Sequence, residues 1–327
     1  MARIAVDLMG GDKAPKAIEK GVLQAVETFE DVEILAFGTK GSYSGNHPRV
    51  TFIEVTEKIE SDDDPVRSVR KKKDSSLVRA VKAVADGEAD AIVSAGNTGA
   101  LMSAGLFVVK RIKGIERPAI TSIIPTTAGQ GMMLLDMGAN SENKPSHLLQ
   151  FAQMATVYME NIEGRKNPSV GLINNGSEEI KGTELTKETY QLLKNSNLNF
   201  AGYFETREIL SGTVDIAVTD GFTGNVVLKT IEGTSMALMS ELKKIMLRNP
   251  INKGAALVLK KDLAGLKDML DYRQFGGAPL MGLQGNVIKA HGSSDETAIV
   301  NAVKQAKIMV NSQTIEKIKE LIGETNE

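Results

Sequence analysis

The sequence predicts an α/β fold, a three-layer α/β/α sandwich around a mostly parallel sheet. Three observations carry this. Short β-branched runs alternate with longer amphipathic stretches along the 327 residues, the pattern of a parallel sheet with helices on both faces. Several runs are nearly continuous in apolar residues, as in strands covered on both sides. A polar, glycine-bearing loop recurs where those runs end. The chain is 42% hydrophobic and long enough for one large domain or for two lobes around a cleft. No fixed-period repeat or low-complexity linker interrupts it. Residues 1–327 are therefore expected to form one α/β domain, with the lobe boundary left open.

Taken in order, strands are expected at 3–7 (RIAVD), 32–38 (VEILAFG), 50–55 (VTFIEV), 90–94 (DAIVS) and 119–124 (AITSII). More follow at 132–136 (MMLLD), 169–173 (SVGLI), 199–204 (NFAGYF), 215–219 (DIAVT) and 286–290 (NVIKA). Helical periodicity fills the gaps at 14–29, 75–87, 145–160, 183–195, 225–247 and 294–321. The uncharged stretch Ala91–Val109 is long enough to raise a membrane span. Its three glycines, Asn97, Thr98 and two serines fit a strand, a turn and a buried helix start better.

Five strand ends share one design: a small or acidic residue, then glycine, then a polar residue able to cap a helix. They begin at Asp7, Ser94, Asp136, Asn174 and Asp220. In a parallel sheet all carboxyl ends lie on one edge, and ligands bind in the crevice there. Glycine lets backbone approach a ligand closely, and helix starts offer unpaired N–H groups to an anion. One such loop is explained by an ordinary turn and cap. Five together are expected to surround one small-molecule site.

Composition narrows the chemistry. With no cysteine, thiolate nucleophiles, disulfides and Cys-ligated metals are excluded. The balance of 39 basic and 41 acidic residues, with 4% aromatics, argues against a base-stacking nucleic-acid module. No dinucleotide G-x-G-x-x-G, P-loop or G-x-S-x-G elbow is present. His47, His147 and His291 show no zinc spacing. Asp7, Asp136 and Asp220 could hold Mg²⁺, but capping and loop bracing is the simpler reading, so no metal is expected there. The absence of an early apolar leader makes a cytoplasmic location the expectation.

The stretches DLMGGDKAP (7–15), SAGNTGALM (94–102), LDMGAN (135–140), IKGTE (180–184), TDGFTGNVVLKTIEG (219–233) and GLQGNVIKAHGSS (282–294) resemble the bacterial phosphate acyltransferase family of phospholipid synthesis. The resemblance covers nearly the whole chain. It implies transfer of a fatty acyl group from acyl-[acyl-carrier-protein] to inorganic phosphate by a cofactor-free homodimer. The implied fold has two lobes around a cleft and is shared with isocitrate/isopropylmalate dehydrogenases and phosphate acetyltransferases. The family's catalytic Lys and Asn map to Lys181 and Asn225. A thioester is already activated and phosphate already nucleophilic, so an amide, a cation and backbone donors suffice to hold the anion and stabilise the oxyanion.

Gly96, Asn97 and Thr98 are the expected phosphate cradle, with Asp7, Gly10 and Gly11 shaping its wall. Asp220 is expected to orient Asn225 or Lys181. His291 is either a wall donor or a packed strand-end histidine. Two departures from the family pattern stand out: Ser177 replaces an acidic residue in NNGSEE, and SEN follows GAN at 141–143. Alternative readings are an acetyl-CoA-dependent phosphate acetyltransferase, a metal- and NAD-dependent decarboxylating dehydrogenase, and a non-enzymic acyl-chain binder.

Acyl carrier protein is acidic, so the cluster Arg67, Arg70, Lys71, Lys72 and Lys73 is its expected docking patch, with Lys110, Arg111, Lys113 and Arg117 competing. Residues 251–270 carry Ala255, Leu259, Leu263, Leu266 and Leu270 on one helical face, flanked by lysines. That suits peripheral membrane contact or a dimer-contact helix.

Overall fold

The computed structural model describes residues 1–263, 265 and 276–325. Its strands are β1 (Ala2–Asp7), β2 (Val32–Thr39), β3 (Val50–Val55), β4 (Ala91–Ser94), β5 (Ala119–Ile124), β6 (Met132–Leu135), β7 (Val170–Asn174), β8 (Phe200–Glu205), β9 (Ile216–Val218), β10 (Ala278–Met281) and β11 (Asn286–Lys289). They form one sheet in the order β3-β2-β1-β4-β11-β10-β5-β6-β9-β7-β8. The helices are α1 (Lys16–Thr28), α2 (Pro65–Lys71), α3 (Ser76–Ala85), α4 (Thr98–Ala104), α5 (Pro145–Asn161), α6 (Glu184–Lys194), α7 (Gly221–Leu247), α8 (Pro250–Val258), α9 (Glu296–Ser312) and α10 (Thr314–Thr325).

The ten strands read from sequence are all present. β10 was not foreseen, because APLM is four residues long and holds a proline that would demote a strand. It pairs antiparallel with both β11 and β5. The expected helix at 294–321 is two helices, broken where Gln313 takes a left-handed conformation (φ 53°). The expected helix at 225–247 begins four residues earlier, at Gly221, capped by Asp220. The apolar stretch 91–109 is strand β4, helix α4 and a π-turn at Gly105–Val109. No helix among the described residues is long and apolar enough to cross a membrane.

One expectation needs correction: the five loops do not share a sheet edge. β5 and β6 are joined by residues 125–131, too short for the crossover that parallel neighbours need, so they pair antiparallel. β6, β9, β7 and β8 are parallel to one another and run opposite to β3, β2, β1, β4 and β11. The loops after Asp7 and Ser94 therefore leave one edge. Those after Asp136, Asn174 and Asp220 leave the other.

The core fills both faces. On one, α1, α5 and α9 pack Val22, Phe151, Ile299 and Val303 against Ile4, Val6 and Met133. On the other, Leu77 of α3 and Leu101 of α4 meet Ile92, Leu134 and Val287. Phe151 is fully buried. Its replacement by Ala should cost about 3–5 kcal/mol. Urea unfolding checks this, and a loss below about 1 kcal/mol would mean that α5 does not pack as described.

Candidate active site

A cavity of about 760 Å³ lies across the face of the central strands, where strand direction reverses. Ile120, Ser122 and Ile124, alternate residues of β5, form its floor with Ala278 of β10. One wall comes from the first edge: Gly11 and Asp12, residues 95–99, Lys289, His291 and Gly292. The facing wall is Met137, Gly138 and one stripe of α7, namely Asn225, Leu228, Lys229 and Glu232, which helical spacing places together. Lys58, Ile59, Glu60 and Ser61 also line it. Loops from opposite edges thus reach one site because α7 leaves its own edge and crosses the sheet face.

The DGFTGN sequence explains how Asn225 gets there. Asp220 accepts hydrogen bonds from the Thr223 N–H (2.9 Å) and hydroxyl (2.7 Å), capping α7. A Cβ on Gly221 would stand 2.2 Å from the Asn140 carbonyl, and one on Gly224 only 1.9 Å from that of Asp136. Only glycine lets this first turn seat on the 136–140 loop. That loop is itself fixed by Asp136. Its Oδ1 accepts from the N–H groups of Ile120, Gly138 and Ala139. Its Oδ2 accepts from the Asn140 N–H and amide. Burial raises the Asp136 pKa, against these bonds. Asn143, in the departing SEN segment, accepts from the Gly221 N–H at 3.2 Å. Gly138 (φ 119°) lies against the Asn225 side chain.

On the opposite wall, Asp7 is buried behind the lining. It accepts from the hydroxyls of Ser76 (2.6 Å) and Ser94 (2.7 Å) and from the Met9 N–H. Burial pushes its pKa up, while these donors and the Lys289 charge oppose the rise. The expectation that Asp7 shapes the cavity wall is corrected: it lies behind the lining, where its oxygens hold β1, α3 and β4 together. Gly10 also lies outside the lining, as a spacer. A Cβ there would fall 2.5 Å from the Gly96 nitrogen. Gly11 does line the cavity, at φ 100°.

Gly96, Asn97 and Thr98 all line the cavity, but the Asn97 side chain is committed elsewhere. Its Oδ1 caps α4 through the Ala100 N–H, and its amide donates to the Ser61 and Asp63 carbonyls. Asn97 thereby pins the 58–63 loop as one wall. His291 lines the cavity and accepts the Ser293 N–H on Nδ1. Burial lowers its pKa.

Lys181 is placed differently from Asn225. It follows β7 on an exposed loop, 2.9 Å from Glu178 and half exposed, and is not part of the cavity lining. The expectation that all five loops surround one site is corrected: the loop after Asn174, which carries Lys181, does not line this cavity. Asp220 is spent on its cap and does not line the cavity. Ser177 is exposed on the same loop as Lys181. Among the described residues no three His, Asp or Glu side chains are grouped for a metal.

Lys289 and the Lys229–Glu232 pair were missed from sequence. Lys289 ends β11, in register with Ser94, and is 9% exposed. Burial pulls its pKa down to about 8, against the charges of Asp7 and Asp12. A lysine inside the apolar run NVIKA was the available signal, since lysine is rarely buried without a reason.

Fold and cavity together define an α/β protein whose central cleft joins polar donors and cations to an apolar strip. The chain belongs to the fatty acid synthesis protein family, whose model matches residues 2–317. Phosphate acyltransferases of Staphylococcus aureus strains Newman and COL are each 48% identical to it over 328 residues, covering 100% of both chains. Among solved structures, a branched-chain phosphotransacylase from Enterococcus faecalis V583 superposes with TM-score 0.63 at 14% identity, over 95% of this chain and 100% of that one. A phosphotransacetylase from Streptococcus pyogenes gives 0.59 at 16% identity, over 96% and 94%. These two likenesses concern the fold.

The seating of α7 can be tested with two glycines of one helix. Gly224→Ala should destabilise by about 1–3 kcal/mol, as overpacking does. Gly233→Ala, with nothing within 4 Å of its added Cβ, should be neutral or stabilising by up to about 1 kcal/mol. Equal effects on thermal unfolding would contradict the described contact.

Proposed function

We propose that this cavity transfers a fatty acyl group from the thioester of acyl-[acyl-carrier-protein] to inorganic phosphate, giving acyl phosphate for phospholipid synthesis. One observation supports this most directly. The cavity sets the Asn225 amide and the backbone of residues 96–98 beside Ile120, Ile124, Met137 and Leu228. An anion and an apolar chain would both be served there. The relatives at 48% identity are phosphate acyltransferases, which points the same way.

The chemistry asks little of the protein. A phosphate oxygen attacks the thioester carbonyl carbon, a C–O bond forms, and the carbonyl becomes an oxyanion. Collapse breaks the C–S bond, and the proton carried by hydrogenphosphate ends on the departing thiol. Asn225 donates to the oxyanion, a contact that strengthens as charge develops. Lys181 carries over from the resemblance as a second catalytic group, and must leave Glu178 to take part. The acetyl-CoA alternative is served less well, since a two-carbon acyl group has no use for the apolar floor.

Docking of the acidic carrier is assigned to the basic cluster in reduced form. Arg67, Arg70, Lys71 and Lys73 are exposed, with Arg70 lying over Phe107. Lys72 is engaged by Asp63 at 2.5 Å and by the Lys58 carbonyl, so it braces the cavity wall. Pairing with a second copy is the proposed cover for the apolar side chains that α7 and α8 expose, among them Met236, Leu238, Ile251, Leu257 and Val258. Peripheral membrane contact is the competing use. Of the segment 251–270, Leu266, Lys267 and Leu270 lie outside the described residues.

Asn225→Ala should lower kcat for acyl phosphate formation about 10²- to 10³-fold, the cost of one oxyanion donor, with the melting temperature kept. Turnover near that of the parent enzyme would remove Asn225 from the mechanism. In the same assay Lys181→Ala should lose activity, and an unaffected rate would assign Lys181 to the surface. Val258→Asp should shift the dimer towards monomer in analytical ultracentrifugation. An unchanged dimer, with binding to anionic vesicles lost instead, would give this face to the membrane.

A further inference from the structure

The cation that meets phosphate is not settled by Lys181, which is exposed and paired outside the cavity. Inside, β11 delivers a different one. Lys289 sits at the carboxyl end of that strand with its ammonium in the cavity wall, donating to the adjacent Ala290 carbonyl. The side chain is almost wholly buried. Burying an ammonium costs several kcal/mol unless something compensates it. Asp7 contributes charge from behind, but its two oxygens are occupied by serine hydroxyls and the Met9 N–H.

Lys229 approaches from the facing wall. Its charge is felt by both Lys289 and His291, so α7 meets the first sheet edge there. Lys229 is held by Glu232 at 2.7 Å. Two cations thus face one region of the cavity, Lys229 paired with Glu232 and the more deeply buried Lys289 offset only by the charges of Asp7 and Asp12. Lys229 and Asn225 are one helical turn apart on α7, about 6 Å along the axis. A phosphate held at the lysines would lie about one helical turn from a carbonyl oxygen held at Asn225.

We infer that Lys289 is the phosphate-binding cation of the reaction, with Lys229 completing the phosphate subsite opposite it. This rests on the acyl-transfer reading above. The anion is inorganic phosphate as co-substrate, and the same subsite then holds the phosphoryl end of the product. The Asp7–Ser76–Ser94 cluster acts as a positioning group that fixes β1 against the strand ends carrying the subsite.

The test uses full-length enzyme with acyl carrier thioester and varied phosphate. Lys289→Met should raise the KM for phosphate roughly 10- to 100-fold, the range for losing a hydrogen bond to a charged group, with the KM for the acyl carrier unchanged. Lys289→Arg should recover part of the loss. In the parent enzyme kcat/KM for phosphate should fall as pH rises through about 8, and this fall should be absent in Lys289→Arg. Asp7, Asp12, Lys229, Glu232 and His291 also face this region, so Lys229→Gln, expected to keep the fall, is run alongside.

Reductive methylation of the parent enzyme avoids any dependence on mutant folding. Inorganic phosphate should slow labelling of Lys289, read by peptide mass spectrometry, and chloride at equal ionic strength should not. An unchanged phosphate KM in Lys289→Met, or labelling indifferent to phosphate, overturns the inference. Failure of the parent enzyme to form acyl phosphate at all would instead sink the acyl-transfer reading.

Discussion

Everything at the candidate site depends on how closely the first turn of α7 sits on the 136–140 loop. Two missing Cβ atoms, at Gly221 and Gly224, allow that contact. One buried carboxylate, Asp136, makes the loop rigid enough to receive it by gathering N–H groups from β5 and from the loop itself. Asn225 is then set by backbone packing and not by a side-chain partner. This matters for catalysis, because a donor that needs no reorganisation is worth most as charge develops. The glycines that look like a ligand-binding signature in sequence are here a packing device.

The reversal of strand direction between β5 and β6 governs the rest. In a uniformly parallel sheet the site would lie along one edge, open to solvent. Here the two halves offer their carboxyl edges on opposite sides, so loops cannot simply converge. The cavity lies instead on the sheet face, over β5 and β10, and α7 acts as the facing wall. A floor of alternating strand residues supplies the apolar strip, while the strand ends supply the polar groups.

Most of the fold was legible because periodicity and apolar runs report burial directly. Ten strands and the main helices follow from patterning alone. β10 escaped because a short run with Pro279 carries little periodic signal. The edge reversal was within reach: seven residues between two strands cannot make a parallel crossover. At the site, the residues found were those in unusual composition, such as GNTG and DGFTGN. Asp7 lies behind the wall it was expected to shape, and the Asn97 side chain caps α4 although its residue lines the cavity, since sequence does not show whether a polar side chain is already satisfied. Lys289 and Lys229 were missed for a related reason. Their value comes from burial and from meeting across the cavity, and both are tertiary facts.

The contrast between Lys181 and Lys289 shows why that distinction is chemical and not only geometric. A solvated lysine already paired with a carboxylate gains little from a new anion, because water and salt screen both partners and one ion pair is exchanged for another. A lysine held in a cavity wall has already lost most of its hydration, and a neighbouring carbonyl replaces only part of it. An incoming dianion restores what burial removed, at close range and in a less polarisable medium. The desolvation cost was met when the chain folded, so it is not charged again to each binding event. A monovalent anion recovers less of this energy than hydrogenphosphate does. Selectivity for the doubly charged nucleophile therefore follows from where the cation sits, without any contact that measures the size of the ligand.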